Sequence, residues 1–152
     1  MHDLLRQLAL NISREECFVG DVESLRGENM SKLRRVTVVA AKKDILVLPS
    51  KDKVEVKVRT FLTVRGPYRI ENNTLFKRPL LLRVLVLNYS LVQSIPGYIE
   101  RLIHLRLLDL DYTGISCLPE SIGSLQNLQI LSLNYCDALH NLPSAISQLY
   151  SL

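Results

Sequence analysis

Leu82-Arg-Val-Leu-Val-Leu87, Leu105-Arg-Leu-Leu-Asp-Leu110 and Leu128-Gln-Ile-Leu-Ser-Leu133 share the spacing LxxLxL and begin 23 residues apart. The agreement continues past the hexamers. Ile95-Pro96, Leu118-Pro119 and Leu142-Pro143 fall in register, as do Ile99, Ile122 and Ile146, and then Leu102, Leu125 and Leu149. One extra residue near Asp137-Ala138-Leu139 lengthens the third unit, so that Leu152 opens another. The last two leucines of LxxLxL alternate with period two, as an inward-facing strand requires. Pro96, Pro119 and Pro143 cannot donate to a ladder, so they close a variable loop and begin a short helical or extended return on the outer face. One such unit buries too little aliphatic surface to offset the entropy of ordering its own chain. Stacked units share a core, which predicts an α/β solenoid with parallel strands on its concave face.

Two weaker units precede these. Leu33, Val36 and Val38 lead to Leu48-Pro49, and Val58, Phe61 and Thr63 lead towards Leu75-Phe76. Val54, Val56 and Val58 alternate with Glu55, Lys57 and Arg59, which predicts a strand leading into the second unit. About five units are expected over residues 33–152, the first two irregular.

Composition agrees with this reading. Thirty of the 152 residues are leucine, aromatic residues make up 6% and Trp is absent, which excludes a disordered, collagen-like or disulfide-built chain. Apolar runs such as Pro79 to Leu82 are far too short for a membrane span. Cys17, Cys117 and Cys136 are odd in number and form no CxxC, so neither zinc nor a disulfide framework is indicated and a reducing, cytoplasmic setting is expected. Net charge is +6 over residues 1–80 and −2 over residues 81–152. The basic excess lies in Lys32, Arg34, Arg35, Lys42, Lys43, Lys51, Lys53, Lys57 and Arg59, either a solvated face or a surface for an acidic partner. No nucleic-acid-binding pattern accompanies it. His2, His104 and His140 have no nucleophile or carboxylate constellation in the sequence, so no enzyme is expected and no metal ligands are assigned.

The head does not repeat. Leu4, Leu5, Leu8, Ala9 and Ile12 form an apolar face at helical spacing, with Asp3 where an N-cap belongs. Residues 1–25 are therefore set apart as a helical head and 26–32 as a linker. Met1-His2-Asp3 followed by Leu-Leu-Arg-Gln-Leu-Ala resembles the MHD motif of plant NLR disease-resistance proteins, and Leu118-Pro-Glu-Ser-Ile-Gly-Ser-Leu125 resembles the leucine-rich repeats of that family. In those receptors the motif closes the winged-helix part of the NB-ARC module, and repeats of this type follow. The resemblance implies an intracellular immune-receptor fragment, with a region for protein recognition and autoinhibition in the defence response. It implies that His2 and Asp3 sense ADP only in an intact receptor, His2 at the β-phosphate and Asp3 supporting the local geometry. It also implies that the basic early repeats face the receptor's own NB-ARC module. No G-x-x-x-x-G-K-[ST] loop is present, so no cofactor is expected for this chain alone, and ADP or ATP belongs to the full-length parent. A free-standing cytosolic leucine-rich-repeat scaffold without a nucleotide role is the alternative. Asn11, Asn72 and Asn88 open glycosylation sequons, but an extracellular LxGxIP repeat is not matched, so these read as chance.

Strand residues between the leucines should face a protein ligand or host protein on the concave side: Arg83, Val84, Val86, Arg106, Leu107, Asp109, Gln129, Ile130 and Ser132. Beyond them run two columns, Asn88/Asp111/Asn134 and Tyr89/Tyr112/Tyr135. The tyrosines are read either as a binding strip or as a stacking ladder that stiffens the turn. Ser90, Thr113 and Cys136 share an inward polar position, expected to bond backbone in the neighbouring turn.

Overall fold

The computed structural model describes residues 16–26, 28–39, 45–46, 56–64, 69–70, 76 and 81–152. Each LxxLxL delivers one short strand: β6 (Val84–Val86), β7 (Leu107–Asp109) and β8 (Ile130–Ser132). The irregular units supply β2 (Arg35–Val39) and β4 (Thr60–Val64), and β1 (Cys17–Gly20) precedes them. All six pair in parallel in chain order, giving the sheet β1-β2-β4-β6-β7-β8. A separate parallel pair, β3 (Ile45–Leu46) with β5 (Arg69–Ile70), joins the two irregular units beside it.

The core follows the leucine grid. Leu82, Leu85, Leu87, Leu102, Leu105, Leu108, Leu110, Leu125 and Leu128 are fully enclosed. Val36, Val38, Phe61 and Phe76 fill the early end. The register Phe61↔Leu85 sets Thr63 opposite Leu87, in a leucine's place. Its hydroxyl is satisfied by donating to Val86 O in the next unit (2.9 Å), which removes the penalty for burying it.

The returns follow the prolines. Pro96, Pro119 and Pro143 hold φ at −71°, −74° and −66° with extended ψ, and each leads into a 3-10 helix: Gly97–Arg101, Glu120–Ser124 and Ser144–Gln148. The proline's fixed φ sets the start, and i→i+3 bonds such as Ile99 N to Pro96 O (3.1 Å) carry the turn. Side chains then stitch one return to the next. Ser121 Oγ donates to Gly97 O (2.8 Å), and the Glu120 carboxylate accepts from Ala145 N (2.9 Å) and from Ser144 N and Oγ (3.2 Å each). Asn127 Nδ2 donates to Ile103 O (2.7 Å), and Ser151 Oγ, one unit on, donates to Gln126 O (2.8 Å).

Three expectations are corrected. Residues 1–25 were set apart as a head and 26–32 as a linker, but Cys17–Gly20 pairs with Arg35–Val38, so the sheet begins inside the head. Helix α1 (Val22–Arg26), capped by Ser24 N to Asp21 Oδ1 (2.8 Å), carries the chain back, and Met30 is buried in the common core. The hydrophobic demand of the sheet edge is met by Phe18, Val22, Leu25 and Met30, which follow no LxxLxL spacing. Second, the strand expected from the alternation around Val54–Val58 starts at Thr60. Val56 and Val58 are buried and Arg59 is exposed, but residues 56–59 are not in a strand, since Arg59 N and Thr60 N both turn to Arg34 O (2.7 and 3.1 Å). Third, Ser90 and Thr113 bond backbone in their own units and not in the neighbouring turn, although Thr113 Oγ1 lies 3.5 Å from Cys136 Sγ of the next unit. They donate to Leu87 O (2.5 Å) and Leu110 O (2.7 Å) three residues earlier in their own units, and Cys136 alone of the three reaches back a unit, to Leu110 O (3.1 Å). The helix expected around Leu4–Ile12 lies outside the described residues.

Candidate functional site

Strict register turns sequence positions into columns across the sheet. At the strand starts, Arg34 N donates to Glu16 O (2.8 Å), Arg59 N to Arg34 O (2.7 Å), Arg83 N to Arg59 O (2.7 Å), Arg106 N to Arg83 O (2.8 Å) and Gln129 N to Arg106 O (2.8 Å). One column therefore contains Glu16, four arginines and Gln129. Arg83 and Arg106 were expected on this face from their spacing. Arg34 and Arg59 were visible only as part of a diffuse basic excess, and aligning Leu33 and Val58 with Leu82 is the signal that joins them to the column.

Beside it runs an aliphatic strip. Val84, Leu107 and Ile130 form one row, and Val86, Asp109 and Ser132 the next, half-buried except for the exposed Ile130. Where the strands end, the polar column closes into a network. Asp111 Oδ1 accepts from Ser132 Oγ and from Asn134 N (2.7 Å each), and its Oδ2 accepts from Asn134 Nδ2 (3.1 Å). Asp109 Oδ1 accepts from Asp111 N (2.9 Å), and Asn88 Nδ2 approaches Asp109 Oδ2 at 3.4 Å. Partial desolvation works against the charged form of Asp111, but the bonds from Ser132 and Asn134 outweigh it and hold the carboxyl below its ordinary value.

The tyrosine column is a stack. The rings of Tyr89 and Tyr112 lie 4.5 Å apart and those of Tyr112 and Tyr135 4.4 Å apart, within 12° of parallel. All three residues hold a positive φ, 56°, 55° and 57°. This left-handed turn takes the chain out of the sheet, and inter-unit bonds hold it: Tyr89 N to Asp111 O (3.0 Å) and Tyr112 N to Asn134 O (2.9 Å). Desolvation in the stack, followed by the neighbouring Tyr135 and Tyr89 phenols, pushes the Tyr112 phenol above its ordinary value. The rings remain exposed, so the same column stiffens the turn and presents aromatic surface.

His104 and His140 lie on the surface, Cys17, Cys117 and Cys136 are free thiols, and no group of three or more metal-ligating side chains converges among the described residues. None of the helices searched is long and apolar enough to cross a membrane. His2 and Asp3 lie outside the described residues.

A family model described as a leucine-rich repeat region matches residues 57–152, more than half of the chain. The chain belongs to the leucine-rich repeat family. Among solved structures, this leucine-rich repeat chain is similar to a leucine-rich repeat protein of Leptospira interrogans, with a TM-score of 0.66 and 24% identity over 97% of the chain. The chain spans 38% of that protein's length. At this identity the likeness shows the fold, the parallel-strand solenoid with short returns. No curated protein matches the chain. In this family's solenoid the face built by the columns is the inner, concave one, where such repeats offer an extended surface.

Proposed function

We propose that the chain is a protein-recognition scaffold that binds a protein ligand through its sheet face, and that it forms the recognition and autoinhibition region of an intracellular plant immune receptor. The observation that carries the scaffold reading is the sheet face itself. It is built by the strict repeat yet lined with side chains that lie outside the buried leucine grid: Arg83, Val86, Asn88, Tyr89, Arg106, Asp109, Asp111, Tyr112, Gln129, Ser132, Asn134 and Tyr135. Aromatic and arginine side chains on a rigid surface are favoured anchors for protein partners.

The immune-receptor reading rests on Met1-His2-Asp3 and the repeat type that follows. In it, the basic early repeats contact the receptor's own NB-ARC module, and His2 and Asp3 sense ADP only within the intact receptor. This chain binds no nucleotide by itself, since it has no phosphate-cradling loop. Titration of the chain with ADP should give no heat of binding, and micromolar affinity would remove this part of the reading. The three free thiols support a cytoplasmic location. A second reading, a free-standing scaffold, is favoured by β1, whose place in the sheet gives the later part of the head a repeat-like role of its own.

The scaffold reading is tested by photo-cross-linking. A photoreactive residue at Gln129 or Ile130, exposed on the sheet face, should give discrete protein adducts in plant cells. The same residue at Tyr98 or Ile103, exposed on the return side, should not. Adducts of equal yield from both sides, or from neither, would reject it.

A further inference from the structure

Arg34, Arg59, Arg83 and Arg106 stand in one column through four consecutive units, fixed there by backbone hydrogen bonds from each to the one before. The units differ widely in sequence, two irregular and two regular, yet this position stays arginine. Adjacent rungs are one strand apart, about 4.8 Å along the backbone. Like charges directly opposed on neighbouring strands destabilise a sheet. No described carboxylate forms an ion pair with any of the four; Arg26, off the column, does pair with Glu23 (2.9 Å). Arg59, Arg83 and Arg106 are exposed. The column stops at Glu16 on one side and Gln129 on the other, so it is a bounded stripe rather than a generally basic surface. A repulsive column kept through four units breaks a local rule of stability, and such breaks mark functional surface.

We propose that this stripe docks an acidic segment of a partner polypeptide, its carboxylates engaging successive guanidiniums while its apolar side chains rest on Val84, Leu107 and Ile130. The proposal rests on the scaffold reading above and adds the chemistry of the partner. A guanidinium presents a planar fork that matches a carboxylate. The rows beside the stripe select polypeptide over nucleic acid. They are aliphatic first and acidic next, through Asp109 and Asp111, so a uniformly anionic phosphate chain would find no apolar complement and would meet repulsion two rows on. A peptide with acidic residues on one edge and apolar residues beside them satisfies both rows.

The test uses the full chain and a fluorescein-labelled peptide of alternating glutamate and alanine, read by anisotropy at low salt. Binding is expected, weakened by added salt, and weaker by roughly five- to tenfold in the double variant Arg83→Gln/Arg106→Gln. The charge-matched double variant Arg26→Gln/Lys32→Gln, off the column, should bind within about twofold of the parent. Equal loss in both variants would overturn the stripe in favour of net charge. An absence of peptide binding, or tighter binding of a thymidine oligonucleotide than of the peptide, would overturn it too. Thermal melting provides a readout independent of any ligand: relieving the repulsion should leave the Arg83→Gln/Arg106→Gln variant at least as stable as the parent at low salt. A clear drop in its melting temperature would make the arginines structural and defeat the proposal. If cross-linking maps a partner to the sheet face while the acidic peptide fails to bind, the scaffold reading stands and the stripe alone falls.

Discussion

Tyr112 is pressed between two rings while its backbone occupies a region that L-residues avoid. In general a non-glycine residue held there costs about 1–3 kcal/mol, and an offset aromatic pair returns about 0.5–1.5 kcal/mol. Tyr112 makes two such pairs, so stacking returns about as much as the strain costs, and the inter-unit bond Tyr112 N to Asn134 O adds to the hold on the turn. Glycine relaxes the backbone term and alanine does not. Tyr112→Gly should therefore melt about 2–4 °C above Tyr112→Ala in scanning calorimetry. The opposite order would mean that the positive φ is free of strain. Asp111 gives a pH signature. Its folded-state pKa lies below the unfolded value of about 3.9, so its contribution is present above that value and is lost as pH falls through the depressed one. Because the side chain is largely solvated, the effect is small. Asp111→Asn should shift the acid-unfolding midpoint little but flatten the loss of stability below about pH 4, as followed by circular dichroism across the acid range. The tyrosine column could be read in the sequence as a column, but not its left-handed backbone, because apolar periodicity carries no information about the sign of φ.

The returns are held together by elements that the leucine pattern does not reveal. A Cβ on Gly123 would come within 2.7 Å of Gln148 Oε1, 2.8 Å of Ala145 Cβ and 2.9 Å of Ala145 O, so the second and third 3-10 helices meet with no room between them. Gly123→Ala should destabilise by about 1–3 kcal/mol in urea titration, as overpacking does. In an Ala145→Gly background the same change should cost less, since one of the three close contacts is then gone, and simple additivity of the two changes would contradict the contact. The prolines announced where these helices begin, because a missing N–H and a fixed φ are local properties. The stitches of Asn127 and Ser151 were hidden. They share one structural position but not one residue type, and the residue at that position one unit before Asn127 is His104. β1 was hidden for a related reason. Its pairing partner lies 18 residues on, well short of the 23-residue grid, and its core residues Phe18, Val22 and Leu25 match no template set by the later leucines. The regular units were legible because one spacing meets one packing demand three times.

At the scale of the molecule, each unit touches only its neighbours, so stability is expected to depend on where along the stack a contact is removed. Leu108 is fully enclosed between units, whereas Leu149 lies in the last unit, where Leu142, Tyr150 and Leu152 are exposed. Leu108→Ala should cost about 2–5 kcal/mol and lower the whole urea transition. Leu149→Ala should cost less and should mainly speed amide exchange in residues 130–152 while leaving β6 and β7 protected. A single uniform loss of protection after Leu149→Ala would show that the stack unfolds as one unit.

The arginine stripe and the tyrosine stack have the same rung spacing, one repeat, although they lie at opposite ends of the strands. Duplication or loss of one whole unit by unequal recombination would therefore lengthen or shorten both together and leave every remaining rung aligned. A length change within the strand or its turn would instead put all later rungs out of line with the earlier ones. Among the regular units the one irregularity, the extra residue near Asp137–Leu139, falls in the loop between the strand and the return, outside both columns. The lineage of such a chain can thus tune its grip on an extended partner by counting rungs, a discrete variable open to inheritance without any point substitution in the surface.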